Sequence, residues 1–230
     1  EFLFSMIREI LCTSKLTDTK RLYEIIAQIK SRAQASLVSA GHQTAVLRGS
    51  SYGSRMAAFQ DEMAGIGYYH FIENLEKDFE AKKDEIVQNL QLVMGQILCQ
   101  ENMSISYTGE KESVEMVKTQ FVSLKKLMAH MTETDRKQQI SCTKKNEGFK
   151  TAGQVQYVAQ TGNFVEKGFA YTGALDILKV ALSYDYLWIN LRVKGGAYGC
   201  MSGFKRNGES FFVSYRDPHL ARTLDVYKGV

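Results

Sequence analysis

A helix-forming run that begins near Gly173 and reaches about Leu191 has to stop at Arg192-Val-Lys-Gly-Gly-Ala-Tyr-Gly199, where glycine stands at 195, 196 and 199. Glycine lacks Cβ, so it accepts positive φ and lets a second chain come close to its backbone. Arg192 and Tyr198 flank this turn six residues apart, and both side chains donate hydrogen bonds. Together they can hold a carbonyl or carboxylate of an extended ligand against Gly195 and Gly196. The plainer reading is a helix end followed by a turn, with Tyr198 half-buried and Arg192 solvated. Spacing alone leaves both open.

Hydrophobic period divides the rest of the chain. Met6, Ile7, Ile10 and Leu11 recur at helical spacing, and Thr17 or Asp18 then caps a second helix using Leu22, Ile25, Ile26, Ile29 and Ala33. Residues 42–55 are rich in Ser, Gly and Thr and read as a connector. Met56 to Met63 comes next and Gly65-Ile-Gly67 breaks the chain, after which Tyr68 to about Phe79 and Lys82 to Cys99 are helical patterns. At Met103-Ser-Ile-Ser-Tyr-Thr108 the period drops to two, which predicts a half-buried strand. A helix from Ser113 to about Met128 follows, and then the polar, aperiodic stretch Thr132 to Glu147, the best candidate for a domain boundary.

Beyond it, Gly153 to Ala159 reads as a strand, Thr161-Gly-Asn163 as a turn, and Ala174 to Leu191 as a helix with Leu175, Leu178, Leu182 and Trp188 inward. Cys200 to Lys205 and Ser210 to Tyr215 form two strands about a hairpin signal at Arg206-Asn207-Gly208. Asp217-Pro218 fits the start of a last helix, which is a better reading than a His-Asp couple with His219. The order of elements predicts an α+β fold, with antiparallel sheets flanked by helices.

Several function classes fall away. The net charge of +4 over 230 residues is too small, and its cations too dispersed, to argue for nucleic acid. No apolar run approaches the roughly 20 residues that span a bilayer. Cys12, Cys99, Cys142 and Cys200 form no C-x-x-C pair, which suits a soluble protein with free thiols in a reducing compartment. A phosphate loop fails at Gly49-Ser-Ser-Tyr-Gly53 for want of a following Lys-Ser/Thr. The spacing G-x-S-x-G occurs in that same loop, about Ser51, but no strand clearly precedes it, as a nucleophile elbow requires. The nearest approach to the inverted zinc motif H-x-x-E-H is His70-Phe-Ile-Glu73-Asn74, where asparagine takes the place of the second nitrogen ligand. Tyr68-Tyr69-His70-Phe71 falls at helical spacing and reads as core. No metal site and no catalytic group is expected in this chain.

Arg192-Val-Lys-Gly-Gly-Ala-Tyr-Gly199 nevertheless resembles the pitrilysin–insulinase superfamily of inverted zinc peptidases. Phe211-Phe-Val-Ser-Tyr-Arg-Asp-Pro218 with Thr223-Leu224 narrows the resemblance to the branch of presequence protease and falcilysin. Ser39-Ala-Gly-His42 and Gly65-Ile-Gly67 extend it over nearly the whole chain. The resemblance implies LuxS/pitrilysin-like domains, here incomplete: residues 1–140 as the later, mostly helical part of a third domain, and 141–230 as the beginning of a fourth, truncated at Val230. It implies zinc and the H-x-x-E-H ligands in an absent N-terminal half of the same polypeptide, which closes with this half over unfolded peptides. Carried over by position, Arg192 and Tyr198 would bind substrate near the scissile bond, with Gly195 and Gly196 between them, while this chain alone would be inactive. The alternative within the superfamily is a subunit that has lost catalysis and serves as a binding or structural partner.

Overall fold

The computed structural model describes residues 2–131 and 140–230, so the expected boundary at Thr132 to Glu147 lies outside the described residues as far as Gln139. The chain parts into two compact units, one from residues 2–27 and 75–131, the other from residues 28–74 and 140–230. The fold is α+β, with helices and a small antiparallel sheet. Among the described residues no helix is long and apolar enough to cross a membrane.

The first unit is helical. It holds α1 (Phe2–Thr13), the start of α2 (Thr19–Ser39), α6 (Phe79–Ile97) and α7 (Val114–Lys125). Asp18 caps α2 as expected, its Oδ1 accepting the Arg21 N–H at 3.0 Å. Phe79, Val87, Cys99, Leu124 and Met128 are buried. Residues 103–108 do not form a strand. Their alternation supplies the period but not the partner: a strand needs a neighbouring backbone to receive its N–H and C=O groups, and among the described residues none pairs with them.

In the second unit α3 (Gly41–Ser51), α4 (Arg55–Ala64) and α5 (Ile66–Lys77) precede β1 (Ala159–Asn163), α8 (Ala174–Ala181), a π-helix (Leu182–Val193), β2 (Gly199–Phe204), β3 (Glu209–Tyr215) and α9 (Ala221–Lys228). The sheet order is β1–β3–β2, with Thr161 opposite Phe211 and Met201 opposite Val213. Side chains of β3 alternate between faces. Phe211 and Val213 face α3 across a cavity of about 360 Å³, and Tyr215 meets the His42 ring of α3 directly. On the opposite face Phe212 joins Val158, Leu187, Leu191, Ala197 and Tyr227 in the core.

Four expectations change here. The connector expected over residues 42–55 is largely helical, α3 running from Gly41 to Ser51 with Gly41 and Gly49 turned toward the sheet. A Cβ at Gly41 would lie 2.3 Å from the Tyr157 ring, and one at Gly49 2.8 Å from the Thr161 methyl, so the small residues let the helix press on the sheet. Thr161-Gly-Asn163 lies within β1 rather than a turn, and upstream of it the expected strand reduces to a bridge of Gln156 with Asp217. The helix from Ala174 widens into the π form after Ala181 and buries Leu187 and Leu191, while Leu178 and Trp188 face outward. Asp217 and Pro218 precede α9 rather than begin it. Buried Asp217 accepts the His219 N–H at 2.9 Å and the Thr223 hydroxyl at 2.6 Å, staking the turn to the first turn of α9.

A second polar staple fixes residues 140–150, which have no regular structure. Arg48 pairs with buried Asp61 at 2.7 Å and with Glu147 at 3.0 Å, and the Tyr52 hydroxyl also donates to Glu147. Asp61 in turn accepts the N–H groups of Ile66 and Gly67 at 3.0 and 3.1 Å, the open donors at the start of α5. Burial opposes the charge on Arg48, but its hydrogen bonds to Glu147 and Asp61 outweigh that and raise its pKa. Burial and then the bond to Glu147 push the Tyr52 phenol up to about 12.

Candidate functional site

The π-helix carries the site to the sheet. Leu187 and Leu191, four residues apart, are 0% and 2% exposed and fix the inner face of its last turns. Trp188 and Arg192, also four apart, therefore share an outer face. The Arg192 guanidinium lies 4.3 Å from the centre of the Trp188 ring and 5.4 Å from that of Tyr198, a cation held between two aromatic faces. It also donates to the backbone carbonyl of Tyr198. Trp188, which periodicity assigned to the core, is instead a wall of the site.

The glycine turn closes on backbone bonds. The Gly196 N–H reaches the Arg192 carbonyl at 2.9 Å, and the Ala197 N–H reaches that of Leu191 at 2.9 Å. Gly196 adopts φ +79°, a left-handed conformation that costs other residues. Gly195 is buried, and a Cβ there would sit 2.4 Å from the Leu191 carbonyl oxygen. The two glycines thus differ: Gly195 allows the turn to pack on the helix end, and Gly196 presents exposed backbone. Arg222 donates to the Lys194 carbonyl at 2.9 Å and ties α9 to the same turn.

Tyr198 stands one residue before β2. Its N–H bonds to the carbonyls of Tyr215 at 3.0 Å and Arg216 at 3.3 Å, and its ring stands edge-on to that of Tyr215 at 5.8 Å. The side chain is 63% exposed, and among the described residues its hydroxyl has no hydrogen-bond partner. A phenol and the remaining guanidinium N–H groups are therefore displayed on one surface beside an exposed glycine backbone. Donors of this kind suit carbonyl or carboxylate oxygens as acceptors. Cys200, one residue past Gly199, is half-buried. Burial pushes its thiol pKa up, against the pull of Arg192, so it is a poor nucleophile.

Among the described residues no group of His, Cys, Asp and Glu is placed to hold a metal ion, so this donor set does not fit a zinc site. His70 and Glu73 face each other at 3.4 Å, and Glu73 accepts the Tyr69 hydroxyl at 3.0 Å, which is the larger cause of its lowered pKa. His130 pairs with Glu101 at 2.8 Å, and the Nδ1 of His42 is buried without a partner.

Residues 146–230 match a family model described as the PreP C-terminal domain, and residues 1–75 match one described as a peptidase-associated domain. Over 228 residues the chain is 38% identical to Protein HypA of Clostridium perfringens, covering 98% of this chain and 23% of that protein. It is 27% identical to Presequence protease 1, chloroplastic/mitochondrial, of Arabidopsis thaliana, over 99% of this chain and 21% of the relative. With the mitochondrial presequence protease of Yarrowia lipolytica the identity is 28%, over 98% and 23%. The chain thus spans under a quarter of the length of these curated relatives.

Proposed function

The chain belongs to the presequence-protease branch of the pitrilysin–insulinase family of peptidases, and we propose that it forms a substrate-binding wall of an enzyme that degrades unfolded peptides. In this reading residues 1–140 are the later part of a third domain and residues 141–230 the start of a fourth. Zinc and its ligands belong to a part of the polypeptide outside this chain, which carries no catalytic group of its own.

One observation supports this most: Arg192, fixed between Trp188 and Tyr198, and the unpartnered Tyr198 hydroxyl present donors together beside Gly196. An extended peptide laid along the turn would receive the phenol O–H and guanidinium N–H groups on its carbonyl oxygens. Gly196, without a side chain, would let the peptide backbone approach. Donors already fixed in place cost no reorganisation when negative charge develops on the scissile carbonyl. Trp188 and Tyr215 hold them there. As a wall separate from the metal, the pair would act only once the two parts of the enzyme closed on substrate, which limits cleavage to peptides that fit inside.

The test is made in the full-length polypeptide. Arg192→Ala and Tyr198→Phe should each lower kcat/KM for an unstructured peptide by about 10²-fold, the loss typical of one oriented donor, with bound zinc unchanged. Wild-type cleavage by both variants would overturn the reading.

A further inference from the structure

Arg216 is the one non-glycine residue with positive φ among the described residues, at +49°. Nothing in its immediate backbone is free to relax this. Its carbonyl accepts the Tyr198 N–H at 3.3 Å, the Tyr215 carbonyl accepts the same group at 3.0 Å, and Asp217 exchanges two 2.8 Å bonds with Gln156. Glycine would occupy such a position without strain, yet the chain places there a long cation. Left-handed residues other than glycine are sites where strain accompanies function.

Arg216 lines a cavity of about 370 Å³. Val38, Val155 and Tyr157 supply its apolar wall, and Ser39, Thr151 and Gly153 its small polar one. Arg216 is exposed, and no carboxylate among the described residues pairs with it. Its guanidinium carbon lies 5.8 Å from the centre of the Tyr215 ring. That ring meets Tyr198 edge-on at 5.8 Å. The guanidinium and the Tyr198 ring are therefore no more than about 12 Å apart, a span that three or four extended residues cover at roughly 3.3 Å each.

We propose that Arg216 and this cavity form a second subsite, which takes a carboxylate of the peptide whose backbone is held at Arg192 and Tyr198. The inference rests on the substrate-binding reading above and adds a preference to it. A guanidinium fork matches a carboxylate in charge and geometry, and the apolar wall accommodates the methylenes or neighbouring side chain that accompany it. The carboxylate has two sources in a peptide, an acidic side chain or the C-terminus.

The experiment uses the full-length enzyme and quenched-fluorescent peptides in matched pairs. One set moves a Glu/Gln replacement along the peptide, and the other compares a free C-terminal acid with its amide. Wild type should favour the carboxylate member of at least one pair about 5- to 10-fold in KM, the size expected of a charge-assisted contact near solvent. Arg216→Gly, which removes the charge and the strain together, and Arg216→Gln should erase that preference, bringing the KM ratio within each pair to about 1. Arg216→Lys should keep part of it. The set that responds identifies the source. Arg192→Ala should instead slow every peptide, so failure of the donor pair and failure of the second subsite read differently. Equal KM within all pairs for wild type, or a preference that survives in Arg216→Gly, would overturn the proposal.

Discussion

Tyr215, the last residue of β3, takes the Tyr198 backbone N–H on its carbonyl at 3.0 Å and the edge of the Tyr198 ring against its own at 5.8 Å. The exposed phenol of the site, just before β2, is thus aimed by the end of β3. Tyr157 and His42 also pack on this support, with ring centres 5.6 and 4.9 Å from that of Tyr215.

If Tyr215 positions Tyr198 through its ring, Tyr215→Phe should leave peptide cleavage nearly unchanged and Tyr215→Leu should weaken it. An aromatic pair contributes about 1 kcal/mol beyond area burial. A double-mutant cycle of Tyr215→Leu with Tyr198→Ala, read in kcat/KM, should return a coupling of about that size. Purely additive losses would mean that the ring contact does not position the phenol.

The two adjacent glycines of the turn should respond differently to one added methyl. At Gly196 a Cβ meets nothing closer than 3.6 Å, so Gly196→Ala bears only the left-handed backbone, about 1–2 kcal/mol. At Gly195 the methyl would run into the Leu191 carbonyl at 2.4 Å and force the end of the π-helix to move, costing about 3 kcal/mol. Denaturant midpoints at unchanged m-value would rank the two, and equal midpoints would contradict the geometry.

Acid should loosen the staple over residues 140–150. Glu147 has its pKa lowered, first by the hydrogen bond from Arg48 and then by that from Tyr52. A folded pKa below the unfolded value of about 4.3 means stability that is present above that pH and lost as pH falls through the folded value. In Glu147→Gln the stability of the second unit should depend less steeply on pH between about 5 and 3 than in wild type. Hydrogen exchange of the backbone N–H groups of residues 144–150 would report it locally, and identical profiles would show that the pair contributes nothing.

Some of this was legible in the residues. Helical period placed α2, α5, α6 and α7, because one apolar stripe per helix is enough to announce it. The hairpin of β2 and β3 was announced by Asn207-Gly208, and Gly208 does take φ +89°. Arg192 and Tyr198 stood out because glycine at 195, 196 and 199 cannot continue a helix. The expectations that changed were those in which local chemistry and remote packing disagree. Gly41 and Gly49 argue against helix by propensity, and α3 forms because Tyr157 and Thr161, more than a hundred residues away, fill the space that a side chain would take. Trp188 is apolar at a plausible core position, but the wider winding of the π-helix gives the interior to Leu187 and turns Trp188 to Arg192.

The residues by themselves determined the periods, the breaks and the inventory of donors, since these depend on neighbours a few positions apart. Only the tertiary structure decided which of them act together. It set Trp188, Arg192, Tyr198, Tyr215 and Arg216 on one surface, because the antiparallel pairing of β2 with β3 places Gly199 opposite Tyr215. It also left residues 103–108 without a strand, because alternation cannot provide the second backbone that a strand requires.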